Sequence, residues 1–89
     1  MRRLITTSRF RKDVRRLEKR GPVAGKLLAI VRDIRLNGTP PESTRPHRLV
    51  GSWTGYLEYH IGFDWLLIYQ VDRKEVRLYR IGTHSDLFG

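Results

Sequence analysis

The stretch "DWLLIYQV", residues 64–71, sets the terms for the rest of the chain. It is nearly continuous apolar sequence, too short for the roughly 20 residues of a membrane-spanning helix and rich in aromatic and branched types that suit a strand. A run of this kind reads as a central strand covered on much of both faces. The sequences around it should therefore supply flanking strands and a covering layer.

The flanks read accordingly. In "WTGYLEYHI" the alternation sends Tyr56, Glu58 and His60 to one face and Leu57, Tyr59 and Ile61 to the other. "EVRLYRIG" follows through the turn "DRKE" as the second arm of a hairpin, with Val76, Leu78 and Arg80 expected on one side. Ahead of residue 47 the period is helical. "RRLITTS" is a short β-prone run ending at Ser8, an N-cap candidate, and Phe10, Val14 and Leu17 then form a narrow apolar stripe on a charged helix. Gly21 and Pro22 punctuate the chain before a second helix carrying Val23, Leu27, Ile30, Val31 and Ile34, which Asn37 and Gly38 end. "TPPESTRP" is a polar, proline-rich loop that continues neither element. The order β-α-α-β-β-β predicts an α+β domain over residues 1–89, a helical hairpin packed on one face of a mostly antiparallel sheet.

Charge bears on partners. Eighteen Lys and Arg against nine Asp and Glu give +9, and half of the basic residues fall within the first twenty positions. A field of that sign favours polyanions, nucleic acid first among them, with an acidic protein partner or a merely solvated helix as the alternatives. The helix side chains Arg9, Arg11, Lys12, Arg15, Arg16, Lys19 and Arg20 are the candidate RNA contacts. The absence of cysteine excludes thiolate nucleophiles and thiolate metal sites and is compatible with a reducing compartment. "MRRLITTSRF" lacks the apolar core of a signal peptide, so the expected address is the cytoplasm, with no membrane partner.

The chain has three histidines, and the expected topology places them at strand margins. Glu58 and His60 share a face. Asp64 opens the next strand across a turn containing Gly62 and should lie near His60. Arg80 stands at the end of the last strand, His84 follows on the tail, and His47 lies at the other margin. These side chains are expected to converge on one basic concavity. Imidazoles and carboxylates together can also bind zinc, but the spacing of 47, 60 and 84 matches no histidine-ligand motif. Trp65, Leu67 and Tyr69 read as core. Phe88 has little core left to join beyond the last strand.

Four stretches carry a resemblance: the S-x-F-x-K-D of Ser8 to Asp13, the H-x-L-x-G-x-W-x-G-Y of His47 to Tyr56, the H-x-x-x-D-W-L-L-I-Y of His60 to Tyr69, and the R-x-G-T-H-x-D-L-F of Arg80 to Phe88. Over nearly its whole length the chain resembles the YafQ branch of the RelE/ParE toxin superfamily. The resemblance implies a toxin of a type II toxin-antitoxin module that cuts mRNA in the ribosomal A site and is neutralised by a cognate antitoxin. It places the active-site positions on His47, His60, Asp64, Arg80, His84 and Phe88. Glu58 stands where a close relative usually has aspartate, which keeps the carboxylate on a longer arm.

That chemistry suits the residues. The RNA 2′-hydroxyl is the nucleophile, so the protein needs a base, an acid and a cation, and neither metal nor small-molecule cofactor. A carboxylate beside His60 would hold it charged or oriented, and Arg80 beside His84 would keep that imidazole neutral. Arg80 is the expected phosphate ligand and Phe88 the expected base-stacking residue. Which histidine is acid and which is base stays open. Two other readings stay open as well: a ParE-like toxin that binds DNA gyrase, against which three histidines speak, and an RNA-binding module without catalysis.

Overall fold

The apolar run forms the middle of a sheet. In the computed structural model, which describes residues 1–18, 23–40, 47–49, 51–61 and 64–88, strand β4 (Trp65–Val71) lies between β3 (Leu57–Ile61) and β5 (Glu75–Gly82). Two edge strands complete the order β1-β5-β4-β3-β2: β1 (Arg3–Thr6), parallel to β5, and β2 (His47–Arg48), antiparallel to β3. The two-residue β2 is an addition to the expected order. So is a final helix, α3 (His84–Phe88). Leu66, Leu67, Ile68 and Tyr69 are each 0% exposed, as a strand covered on both faces requires.

Helices α1 (Ser8–Glu18) and α2 (Val23–Asn37) cover one face. Phe10 and Leu17 from α1 and Leu27, Ile30, Val31 and Ile34 from α2 meet Tyr59, Ile61, Leu67, Tyr69, Val76, Leu78 and Ile81 in one core. At roughly 1.5–3 kcal/mol per fully buried large apolar side chain, this cluster is the main stabilising term. The cap of α1 is Thr7 rather than Ser8: its Oγ1 accepts from the Phe10 backbone N–H at 3.0 Å, while Ser8 is exposed. Gly38, at φ 80°, ends α2 as expected, its N–H bonded to the Ile34 carbonyl. Residues 19–22, the loop residues 41–46, Gly62, and the side chains of Val23 and His47 lie outside the described residues, and with them the expectations placed on Lys19, Arg20, Gly21 and Pro22.

A bulge corrects one expected face. Tyr69 pairs with Leu78 but Ile68 pairs with Arg80, so Tyr79 is an extra residue in β5. The alternation inverts there. Ile81 joins Val76 and Leu78 in the core, and Arg80 moves to the row of Ile68, Glu58 and His47 on the second face.

Candidate active site

Two histidines meet on that second face. His60 stands on β3 with its ring nitrogen Nε2 2.7 Å from Oε1 of Glu58, two residues back on the same side of the strand. Glu58 is buried, and half-exposed His60 is thus anchored to a fixed carboxylate. His84 opens α3, and its ring centroid lies 6.0 Å from that of His60. Its Nδ1 is 3.3 Å from Oδ1 of Asp64, and the Phe88 ring, 45% exposed, lies 6.1 Å away on the other side. Asp64 thus bonds to His84, a partner the turn did not announce, because α3 folds back toward the start of β4.

The fold-back is built locally. Thr83 Oγ1 accepts from the Asp86 N–H and Asp86 Oδ2 accepts from the Thr83 N–H, both at 3.1 Å, a reciprocal capping box. Gly82 lets the helix approach: a Cβ there would stand 2.9 Å from Cβ of Asp86. Asp86 also faces Arg16 of α1 at 3.7 Å, so the basic helix adjoins the segment carrying His84 and Phe88. Arg9, Arg11, Lys12, Arg15 and Arg16 are all exposed.

Arg80 is held differently from expectation. β1 ends opposite Leu78, which leaves the far half of β5 without a strand neighbour on that edge, and α1 fills the gap. Thr7 Oγ1 donates to the Tyr79 carbonyl at 2.8 Å, and Asp13 Oδ2 accepts from the Ile81 N–H at 3.1 Å. The same carboxylate takes Arg80 Nε at 2.6 Å and Nη2 at 3.1 Å, a bidentate pair with 10% and 4% of the side chains exposed. These hydrogen bonds hold the guanidinium pKa above its ordinary value. Nη1 of Arg80 bonds to no described residue and is not among the buried atoms lacking a partner, so that edge faces solvent. Its charge is balanced by Asp13 instead of acting unopposed on His84. Sequence reasoning gave Asp13 no role, although it sits at i+3 between Phe10 and Leu17 on the buried stripe, where a carboxylate requires a partner.

The site thus brings together Glu58, His60, Asp64, His84 and Phe88, with Arg80 in the neighbouring cross-strand row. The His47 backbone pairs with Glu58 at the edge of that row. Among the described residues no group of three or more His, Asp or Glu is disposed to hold a metal ion. No described helix is long and apolar enough to cross a membrane.

Comparison with known proteins matches the chain to a family. The family described as "Bacterial toxin of type II toxin-antitoxin system, YafQ" matches residues 2–89. The mRNA interferase toxin YafQ of Escherichia coli K12 is 38% identical over 84 residues, 93% of this chain and 91% of that protein. A crystal structure of YafQ from E. coli BL21(DE3) superposes with a TM-score of 0.88 at 36% identity, covering 100% of both chains. The toxin in a crystal structure of the E. coli DinJ–YafQ toxin–antitoxin complex gives 0.86 at 36% identity, over 99% of this chain and 98% of that one.

Proposed function

From the premise that this chain belongs to the YafQ family of bacterial type II toxin-antitoxin toxins, we propose that it is an mRNA interferase that acts on the ribosome and cleaves by proton transfer between its own histidines. The observation that carries this reading is the pairing of His60 with His84, ring centroids 6.0 Å apart, each beside a carboxylate. One imidazole takes the proton of the RNA 2′-hydroxyl as its oxygen bonds to the adjacent phosphorus. The other gives a proton to the 5′-oxygen as the P–O5′ bond breaks, which leaves a 2′,3′-cyclic phosphate and a 5′-hydroxyl. Glu58 and Asp64 orient the rings. The solvent edge of Arg80 receives the phosphate oxygens, with the guanidinium already fixed by Asp13 and so losing little freedom on binding. His47 borders this row as a further candidate, and Phe88 offers an exposed ring to a base beside His84.

The basic side chains of α1 are the proposed contact with ribosomal RNA, and a cognate antitoxin covers that surface by charge complementarity. The working compartment is the cytoplasm. The test is to add the purified protein to ribosomes translating a defined mRNA and map new 5′ ends, comparing it with His60→Ala and His84→Ala. New ends from the parent and few from the variants support the reading. Blocked translation without new ends would point to an RNA-binding module, and no effect on ribosomes to a gyrase-type target.

A further inference from the structure

The motif running from His47 to Tyr56 supplies one active-site candidate, yet most of it builds something else. Gly51 and Gly55 adopt φ of 69° and 95°, the left-handed region that glycine tolerates, and frame a 3₁₀ turn, Gly51–Trp53. Thr54 closes the turn with its N–H and its hydroxyl on the Gly51 carbonyl, at 3.1 and 2.7 Å. Gln70 of β4 then locks it to the sheet: Nε2 donates to the Gly55 carbonyl at 3.1 Å, while Oε1 accepts from Tyr79 Oη at 3.2 Å and Arg77 Nε at 3.3 Å. Tyr56 stands edge-on between Trp53, at 5.1 Å and 87°, and Tyr79, at 4.5 Å and 86°. The result is a fixed wall of half-buried aromatic rings.

Beside Tyr56, the one ring of this wall that lines it, opens a pocket of ≈ 530 Å³, whose lining also includes Arg48, Leu57, Gln70, Val71 and Arg77 and, among the described residues, no carboxylate. Its volume falls in the range of about 300–1,000 Å³ typical of small-ligand sites. Exposed Arg48 has no ion pair among the described residues. One aromatic ring beside apolar side chains, with two arginines and no acid in the lining, fits a planar ring attached to an anion. The pocket shares its sheet with the histidines: Leu66 lies opposite His60, and Gln70 is four residues further along β4, roughly 13 Å at about 3.3 Å per residue. A single strand cut at one end of the face lies across the other.

We infer that this pocket takes a nucleobase of the RNA strand flanking the cleaved bond, with Arg48 on its phosphate, and so contributes to which codons are cut. The inference rests on the proposed nuclease reading. It is tested with 2′-O-methyl RNA hexamers, which that mechanism leaves uncut, titrated into isotope-labelled protein while the indole signal of Trp53, the side-chain amide of Gln70 and the rings of His60 and His84 are followed. The expected result is movement of both sets, with one abasic position in the hexamer abolishing the Trp53 and Gln70 shifts and weakening binding about tenfold. Movement of the histidines alone would overturn the base pocket while leaving the nuclease reading intact. RNA that moves neither set would overturn the base pocket, and the nuclease reading is decided separately by the mapping of new 5′ ends on ribosomes. An acidic peptide that moves Trp53 and Gln70 where RNA does not would reassign the pocket to a protein partner.

Discussion

The two faces of the sheet are made by the same strands and do opposite work. On the helix-covered face, Tyr59, Ile61, Leu67, Tyr69, Val76, Leu78 and Ile81 pack as apolar volume, and Tyr69 Oη is buried there without a hydrogen-bond partner among the described residues. On the second face polar groups are paired: Glu58 with His60, Gln70 with Arg77 and Tyr79, Arg80 with Asp13. The difference teaches that stability and chemistry are separable here by side-chain alternation, except where α1 reaches the edge of β5 through Asp13. Substitutions on one face should move one property and leave the other.

The largest separation is expected at the histidines. Proton transfer by a positioned side chain contributes about 10²-fold to 10⁴-fold, so His60→Ala and His84→Ala should each slow mRNA cleavage on ribosomes by that order, with the denaturation midpoint nearly unchanged for His84→Ala, whose partner Asp64 is exposed, and lowered for His60→Ala, which strips buried Glu58 of its imidazole. Because the two act as a pair, the double variant should be little slower than either single one. Multiplying losses would show that they act independently.

Asp13 should break the separation. Asp13→Ala leaves the Arg80 guanidinium buried without its carboxylate and the Ile81 N–H without an acceptor, a loss of about 3–5 kcal/mol in unfolding free energy and of cleavage together. Stability unchanged in chemical denaturation would mean that the pair is replaced by water at little cost.

Gly82→Ala sharpens the comparison from the other side. Its Cβ would meet Asp86 at 2.9 Å and displace α3, whose residues are not buried, so stability should change little. Misplacing His84 by even about 1 Å should still slow cleavage, by up to roughly 10²-fold. Parent-like cleavage in that variant would show that α3 can shift without moving the imidazole.

The smallest effect belongs to the core. Burial, with Tyr59 nearby, pushes the Tyr69 phenol up from 10.0 to about 12. The unfolded chain therefore gives up this proton more readily, and the corresponding stability is intact below pH 10 and lost as pH rises through about 12. Tyr69→Phe should flatten that alkaline decline and, by removing a buried hydroxyl without a partner, raise stability near neutral pH by about 1 kcal/mol, with cleavage unaffected. A destabilised Phe variant, measured by urea titration, would show that the hydroxyl has a partner after all.

The covered face was legible from the period of two and the helical stripe, because burial of alternate residues is what those periods record. The second face was legible only in part. Glu58 and His60 share it through simple alternation, but the bulge at Tyr79, which no residue type announces, reversed the side of Arg80. The fold-back of His84 toward Asp64 depends on Gly82 and the Thr83–Asp86 box, a capping signature present in "THSD" that reads as a helix start only once five residues are allowed to form one. Asp13 was placed by the helical stripe itself, yet its partner lies 67 residues away and only the tertiary structure brings them together.

The central claim is that the second face cleaves RNA through the RNA's own 2′-hydroxyl, with His60 and His84 moving the protons. It is tested most directly with an mRNA carrying a single 2′-deoxy nucleotide on the 5′ side of a bond that the parent protein is found to cut, incubated with ribosomes and the toxin. The account predicts no cleavage at that bond, and 2′,3′-cyclic phosphate and 5′-hydroxyl ends from the all-ribose control. Cleavage of the deoxy-substituted bond, or 5′-phosphate ends from the control, would contradict it.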